Sequence, residues 1–243
     1  MTQEVVPSDT DLLCENCGYM LNGLPPEGNC PECGMPIAAS TTQSGRAPPD
    51  WEAGQDNPIG RFQKTLWKVV SSPATFFRAL SVRGDEDRSR RFALLLMVPL
   101  ILAGSKAVVL HYYIQFRLSV PPPWLNMTMA IPLVPVLVAV SWFLMYFAVV
   151  HLTVIEARYW GFRLHDNVVR RALHYLTPHA VIASMLPLLV ITVYLCLLLA
   201  NENFYGLYLA QYLYVLSGSV VVGAIYLFQR YWTAMRAMMR ANA

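Results

Sequence analysis

Charge is scarce in this chain. Of its 243 residues only 14% are charged and 56% are hydrophobic, with a mean hydropathy of +0.40. A soluble domain usually carries about 25% charged residues. The shortage is uneven: twelve of the fifteen acidic residues precede residue 90, and only Glu156, Asp166 and Glu202 follow. Two regions with different solvents are therefore expected, an aqueous one first and a lipid-embedded one after it. The net charge of +3 describes neither region and gives no argument for nucleic acid.

A hydrophobic leader is also missing. The opening MTQEVVPSDTDLLCENC is acidic and holds no continuous apolar stretch, so no secretory signal is expected and the first residues should stay on the side of synthesis. Residues 1–11 are expected to be disordered. Nucleophile motifs such as GxSxG, phosphate-binding glycine loops and intramembrane acidic pairs are absent too. Nothing arranges a nucleophile with its base, and the chain is expected to be non-enzymatic.

Cysteine is rare but clustered. Four of the five lie within twenty residues, as Cys14-Glu15-Asn16-Cys17 and Cys30-Pro31-Glu32-Cys33, and the fifth, Cys196, lies in an apolar run. Two residues between ligands let one tight turn present both sulfurs to a single ion, and four thiolates satisfy tetrahedral zinc. Gly18 and Gly34 follow the pairs, where positive φ lets backbone N–H groups approach sulfur. Clustered thiols in a reducing compartment hold metal more readily than they form disulfides. A redox dithiol would need a βαβ unit beside one CxxC, and that unit is absent. One structural zinc ion on Cys14, Cys17, Cys30 and Cys33 is therefore expected, within a small β-type ribbon over 12–37. Tyr19–Leu24 would cover the site, and Pro25–Gly28 would turn the chain. Four thiolates close the coordination sphere, which leaves no position for catalysis. So short a segment should fold only with its metal.

Residues 38–57 are rich in Ser, Thr, Pro and Gly and have the composition of a flexible linker, so the ribbon is not expected to be docked rigidly. Over 58–82, Ile59, Phe62, Leu66, Val69 and Val70 recur at helical spacing. Ser72-Pro73 marks a second helix start, followed by Phe76, Phe77 and Leu80. With Arg61, Lys64, Trp67, Lys68 and Arg78 alongside, this amphipathic segment suits an anionic membrane surface. It could equally pack its apolar stripe on the chain's own helices.

Between residues 83 and 232 a helical membrane bundle is expected, followed by a tail over 233–243. A span needs roughly 20 apolar residues, and four stretches qualify, at about 92–113, 124–150, 177–200 and 204–228. Arginine decides their direction. Arg83, Arg88, Arg90 and Arg91 precede the first, Arg158, Arg163, Arg170 and Arg171 follow the second, and Arg230, Arg236 and Arg240 follow the last. The other loops offer only Arg117 and Glu202. Both termini are thus expected in the cytoplasm, with the protein in a cytoplasmic (inner) membrane. Tyr112, Tyr113, Trp124, Phe204, Tyr205 and Tyr208 on one side, and Tyr159, Trp160, Tyr231 and Trp232 on the other, fit interfacial belts. Pro99, Pro132, Pro135 and Pro187 fall inside spans, and Ser219 and Gly223 form a small-xxx-small step.

Lys106 is the one charge well inside a span, close enough to the outer boundary to snorkel. His111 and Gln115 lie beyond it. His151, Glu156 and Arg158 cluster at the end of the second span, and His165, Asp166, His174 and His179 lie in or near the central loop. His151, Glu156, His174 and His179 could be drawn as a metal or proton-relay site. The spans lack the paired charges and matched broken helices of ion-coupled transporters.

The cysteine segment, CENCGYMLNGL through CPECG, resembles the N-terminal zinc ribbons fused to many bacterial membrane proteins, especially in planctomycetes. Asn57-Pro58-Ile-Gly-Arg-Phe, Ser72-Pro73-Ala-Thr-Phe-Phe-Arg-Ala-Leu80 and Arg170-Arg171-Ala-Leu-His174-Tyr-Leu-Thr-Pro178 resemble the bacterial branch of the Yip domain family over about residues 57–230. That family often has five spans where four are counted here. Its eukaryotic members bind small GTPases and shape vesicles, and no catalytic residue carries over. The expected function is a membrane protein whose ribbon docks a protein partner or organises the membrane surface. Nucleic acid is disfavoured because 12–37 holds no Lys or Arg. The alternative is a permease or channel component with a regulatory ribbon. Self-association into a homo-oligomer is left open.

Overall fold

The computed structural model describes the chain except residues 1–10, 42–45, 55, 83, 119–126, 163, 165, 201–203 and 243. Side chains at 113–118, 127–132, 134 and 204–208 are also left out. Residues 1–10 of the start expected to be disordered, Arg83, Trp124, Arg117, Arg163, His165, Glu202 and the aromatic belt at Tyr113, Phe204, Tyr205 and Tyr208 fall wholly or in their side chains outside what is described.

Among the described residues six α-helices form: α1 Pro58–Ser71, α2 Pro73–Ala79, α3 Glu86–Leu118, α4 Met127–Tyr159, α5 Asp166–Ala200 and α6 Phe204–Met238. The last four are long and apolar enough to cross a bilayer. Each runs beyond its apolar stretch, because a helix needs only backbone bonds and packing to continue, not hydrophobicity at every position. Pro99, Pro178 and Pro187 are carried inside helices, as lipid-embedded helices allow. Two compact units result. Met1–Ala93, Phe147–Leu176 and Arg230–Ala243 form the first, and Leu94–Tyr146 with Thr177–Gln229 form the second.

In the second unit, large apolar side chains face outward, among them Leu102, Phe143, Leu189 and Val221. Water would expel such a surface, whereas lipid accepts it. Its interior holds Ile191, Tyr194 and Tyr212.

The first unit is built around an aromatic chain. Ring centroids step from Trp51 to Phe62 (5.8 Å), Phe62 to Phe92 (5.0 Å), Phe92 to Tyr175 (5.2 Å), Tyr175 to Phe76 (5.3 Å) and Phe76 to Phe77 (5.2 Å). Such pairs contribute roughly 0.5–1.5 kcal/mol each beyond area burial. This corrects the membrane-surface assignment of Phe76 and Phe77. Both are buried, Phe77 completely, because α2 spends its apolar stripe on the chain's own helices. Pro73 does open α2, but the Ser72 side chain makes no cap bond. Asn57 caps α1 instead, accepting from the Gly60 N–H at 3.0 Å.

The linker expectation also fails where the segment is described. The Ala47 N–H donates to the Ala79 carbonyl at 2.8 Å, and Trp51 Nε1 donates to the Arg88 carbonyl at 2.7 Å. Glu52 is buried beside Arg171 and Tyr175.

Candidate metal centre

The two cysteine turns are structural copies offset by sixteen residues. In the first, the Gly18 N–H donates to the Cys14 carbonyl (2.8 Å) and the Cys14 N–H to the Tyr19 carbonyl (2.8 Å). In the second, Gly34 donates to Cys30 (2.8 Å) and Cys30 to Met35 (2.7 Å). The flanking pairs repeat as well, Leu21 N–H to Leu12 carbonyl and Ile37 N–H to Gly28 carbonyl. Gly18 and Gly34 take φ of +85° and +72°, the region that glycine enters without steric cost. The β character expected of the ribbon is confined to bridges. Among the described residues there is no strand, and each turn is closed by one isolated antiparallel bridge, Leu13 with Met20 and Asn29 with Pro36. The bridges are too short to propagate because each chain turns back at once around its cysteines.

The sulfurs converge between the turns. Cys14 Sγ lies 3.5 Å from Cys33 Sγ, Cys17 Sγ lies 3.5 Å from Cys30 Sγ, and all four lie within 4.8 Å of one another. Zinc–thiolate bonds of about 2.3 Å require sulfur–sulfur edges of roughly 3.8 Å in a tetrahedron. The donor set therefore fits one tetrahedral ion after small adjustment. Leu21 and Ile37 pack beside the buried Cys14 and Cys30, shielding one side of the site. Burial pushes the Cys17 thiol up to about 12. Hydrogen bonds from the Asn16 side chain and the Met35 backbone hold Cys33 down at about 6. No other group of three or more metal-ligating side chains is found among the described residues.

The site is wired to the rest of its unit. Arg46 makes a bidentate pair with Glu15 at 2.8 and 3.1 Å and donates to the Leu80 carbonyl at 3.1 Å and the Ala237 carbonyl at 3.1 Å. Arg46 is the sole basic residue between Cys33 and Arg61. That isolation is the one signal by which the sequence could have flagged it. Asn242 pairs with Leu13, a separation of 229 residues that no local pattern announces. The ribbon is therefore docked, contrary to expectation.

Comparisons with protein-family models, with curated proteins and with solved structures find no match.

The histidines drawn together from sequence each have their own partner. His174 Nδ1 pairs with Ser89 Oγ at 2.9 Å, and His179 Nδ1 pairs with Tyr226 Oη at 2.7 Å. His151 lies edge-on to Phe147 at 4.1 Å, and Glu156 is exposed. Among the described residues they do not form a group of three or more metal-ligating side chains. Lys106 is exposed on α3, and His111 Nδ1 meets Tyr212 Oη at 2.7 Å. On α1, Ile59 and Trp67 are 71% and 72% exposed. Lys64 and Arg78 are exposed, Arg61 is half-buried, and Lys68 pairs with Asp50 at 2.6 Å.

Proposed function

We propose that this chain is a non-enzymatic integral membrane protein whose zinc-clasped cysteine turns dock a protein partner at the cytoplasmic surface. The observation that carries the reading is the convergence of four thiols on one point, which leaves no ligand position for catalysis. Four soft donors favour zinc over harder divalent ions. Arginine at the ends of the spans supports a cytoplasmic side for both termini. The hydrogen bonds between Leu13 and Asn242 support an even number of crossings, since the two ends must share one side. Four spans satisfy that parity; the five common in the Yip family do not.

The face left open for a partner carries Tyr19, Met20, Pro25, Pro26, Glu27 and Glu32, all exposed. Its acidic and apolar character favours protein over nucleic acid. A photo-crosslinker at Tyr19 tests this in cells. Adducts with one protein should form in the wild type and vanish in Cys30→Ser. Identical adducts in both would remove the zinc turns as the docking element.

A permease reading is favoured by one observation, the contact of His111 with Tyr212 and the stacking of Tyr194 on Tyr212 at 4.0 Å in the apolar unit. Polar groups inside a membrane often mark a pathway. Solute flux in proteoliposomes discriminates: flux lost in Tyr212→Phe would overturn the docking reading.

A further inference from the structure

The last residues of the chain close on the first cysteine turn. The Asn242 carboxamide oxygen accepts from the Leu13 N–H at 2.9 Å, while its Nδ2 donates to the Leu13 carbonyl at 2.7 Å and the Ser40 carbonyl at 2.7 Å. Asn242, Leu13 and Ser40 are all buried. The Asn242 N–H reaches Glu15 Oε1 at 3.3 Å, and the Arg240 guanidinium donates to the Asn16 carbonyl. Arg46 completes the arrangement by holding Glu15 and the Ala237 carbonyl at the end of α6 together.

Every one of these partners is positioned by the metal turns. Leu13 immediately precedes Cys14, and Glu15 and Asn16 are the two residues between Cys14 and Cys17. Ser40 closes the short 3-10 turn Ile37–Ser40 that follows the second cysteine turn. The approach is close at residue 18, where a Cβ would lie 3.2 Å from Arg240 Nε. We propose that metal binding at the four cysteines gates capture of the chain's own C-terminal segment, residues 239–242, so that metal content at one terminus is transmitted to the other. This rests on the metal reading above. Without the ion, a segment this small has no core to hold Leu13, Glu15 and Asn16 in register. A buried carboxamide deprived of its partners then moves to water. Linkage is reciprocal: the factor by which metal favours capture is the factor by which capture tightens metal.

The test uses the full chain in lipid nanodiscs, with Zn2+ as the probe, stripped by a chelator under reducing conditions. Hydrogen exchange of residues 239–242 should quicken at least tenfold on stripping. In the zinc-loaded Asn242→Ala and Asn242→Asp variants the same amides should exchange fast, and zinc affinity should fall roughly tenfold. Unchanged tail exchange on stripping, or wild-type affinity in both variants, would overturn the coupling. A Co2+ titration separates the two readings. If no tetrathiolate charge-transfer band appears, the metal reading falls and the coupling with it. If the band appears and the tail is indifferent, only the coupling falls.

Discussion

Arg171 of α5 and Glu52, which precedes α1, meet at 2.9 Å with both side chains 2% exposed. Glu52 also accepts from Tyr175 Oη at 2.6 Å and from the Asp85 N–H at 3.2 Å, and Arg171 donates to the Ser81 carbonyl at 2.6 Å. The pair pins a polar segment to the start of a spanning helix. Removing one partner strands a buried charge, which costs roughly 3–5 kcal/mol, whereas replacing both with apolar groups costs far less. Arg171→Met and Glu52→Leu should each lower the thermal midpoint in nanodiscs strongly, and the double variant should recover much of the loss. Additive losses would show that the two do not act as a pair.

The same site can be tested from its wall. A Cβ on Gly84 would run into the Arg171 guanidinium, whose bonds to Glu52 and to the Ser81 and Val82 carbonyls any shift would disturb. Gly84→Ala should destabilise by about 1–3 kcal/mol. Gly23, at φ +79° with open space around it, should lose only about 1–2 kcal/mol on the same change, from backbone strain alone. Equal unfolding midpoints for Gly84→Ala and the wild type would contradict the packing.

What was legible in the sequence is what short-range chemistry dictates. The CxxCG spacing fixes the turns and the positive φ at Gly18 and Gly34, and runs of apolar residues fix four spanning helices. What was not legible depends on distant partners. Segment 46–54 has the composition of a solvated linker, yet Trp51, Glu52 and Arg46 find their partners on α1, α3, α5 and α6. Composition records a residue's affinity for water, not the polar groups that folding delivers to it. Phe76 and Phe77 illustrate the converse: an apolar stripe at helical period is the same whether lipid or protein covers it.

The thiols should differ in reactivity. Cys33 is exposed and held at about 6 by Asn16, while Cys17 is pushed up to about 12 by burial. In the zinc-loaded chain, where the turns are ordered, Cys33 is the exposed ligand and the one held toward thiolate, the reactive form. Peptide mapping after brief iodoacetamide treatment should find Cys33 modified first and Cys17 last, and Asn16→Ala should slow Cys33. Metal binding requires deprotonated sulfur, so each remaining thiol releases a proton on binding. Affinity therefore rises with pH and is lost as pH falls through the lower thiolate range. A zinc affinity independent of pH between 5.5 and 7.5 would contradict four-thiolate ligation.

Glycines of α6 should part company. A Cβ on Gly223 would approach the Ala183 carbonyl oxygen of α5 at 3.1 Å, whereas Gly218 has nothing within 4 Å. Backbone cannot yield as a side chain can, so Gly223→Leu should separate the two helices and lower the thermal midpoint. Gly218→Ala should be silent or stabilising, by up to about 1 kcal/mol of helix propensity. The reverse order would mean that the small-residue step faces lipid.

Trp67 should report on the bilayer surface. Trp67 and Ile59, eight residues earlier on α1, are both mostly exposed. Phe62, about 140° around the helix from Trp67, packs against Phe92, and the apolar run of α3 begins at that residue. α1 is thereby fastened to the start of the apolar run of α3, with Lys64 exposed beside Trp67. An aromatic anchor flanked by lysine suits an anionic headgroup layer. In nanodiscs made with lipids brominated near the headgroup, the quenched component of tryptophan fluorescence should shrink in Trp67→Phe. Lys64→Glu should reduce quenching only when the lipids are anionic. Equal quenching in wild type and Trp67→Phe would place this face in water and leave its apolar residues to a protein partner instead.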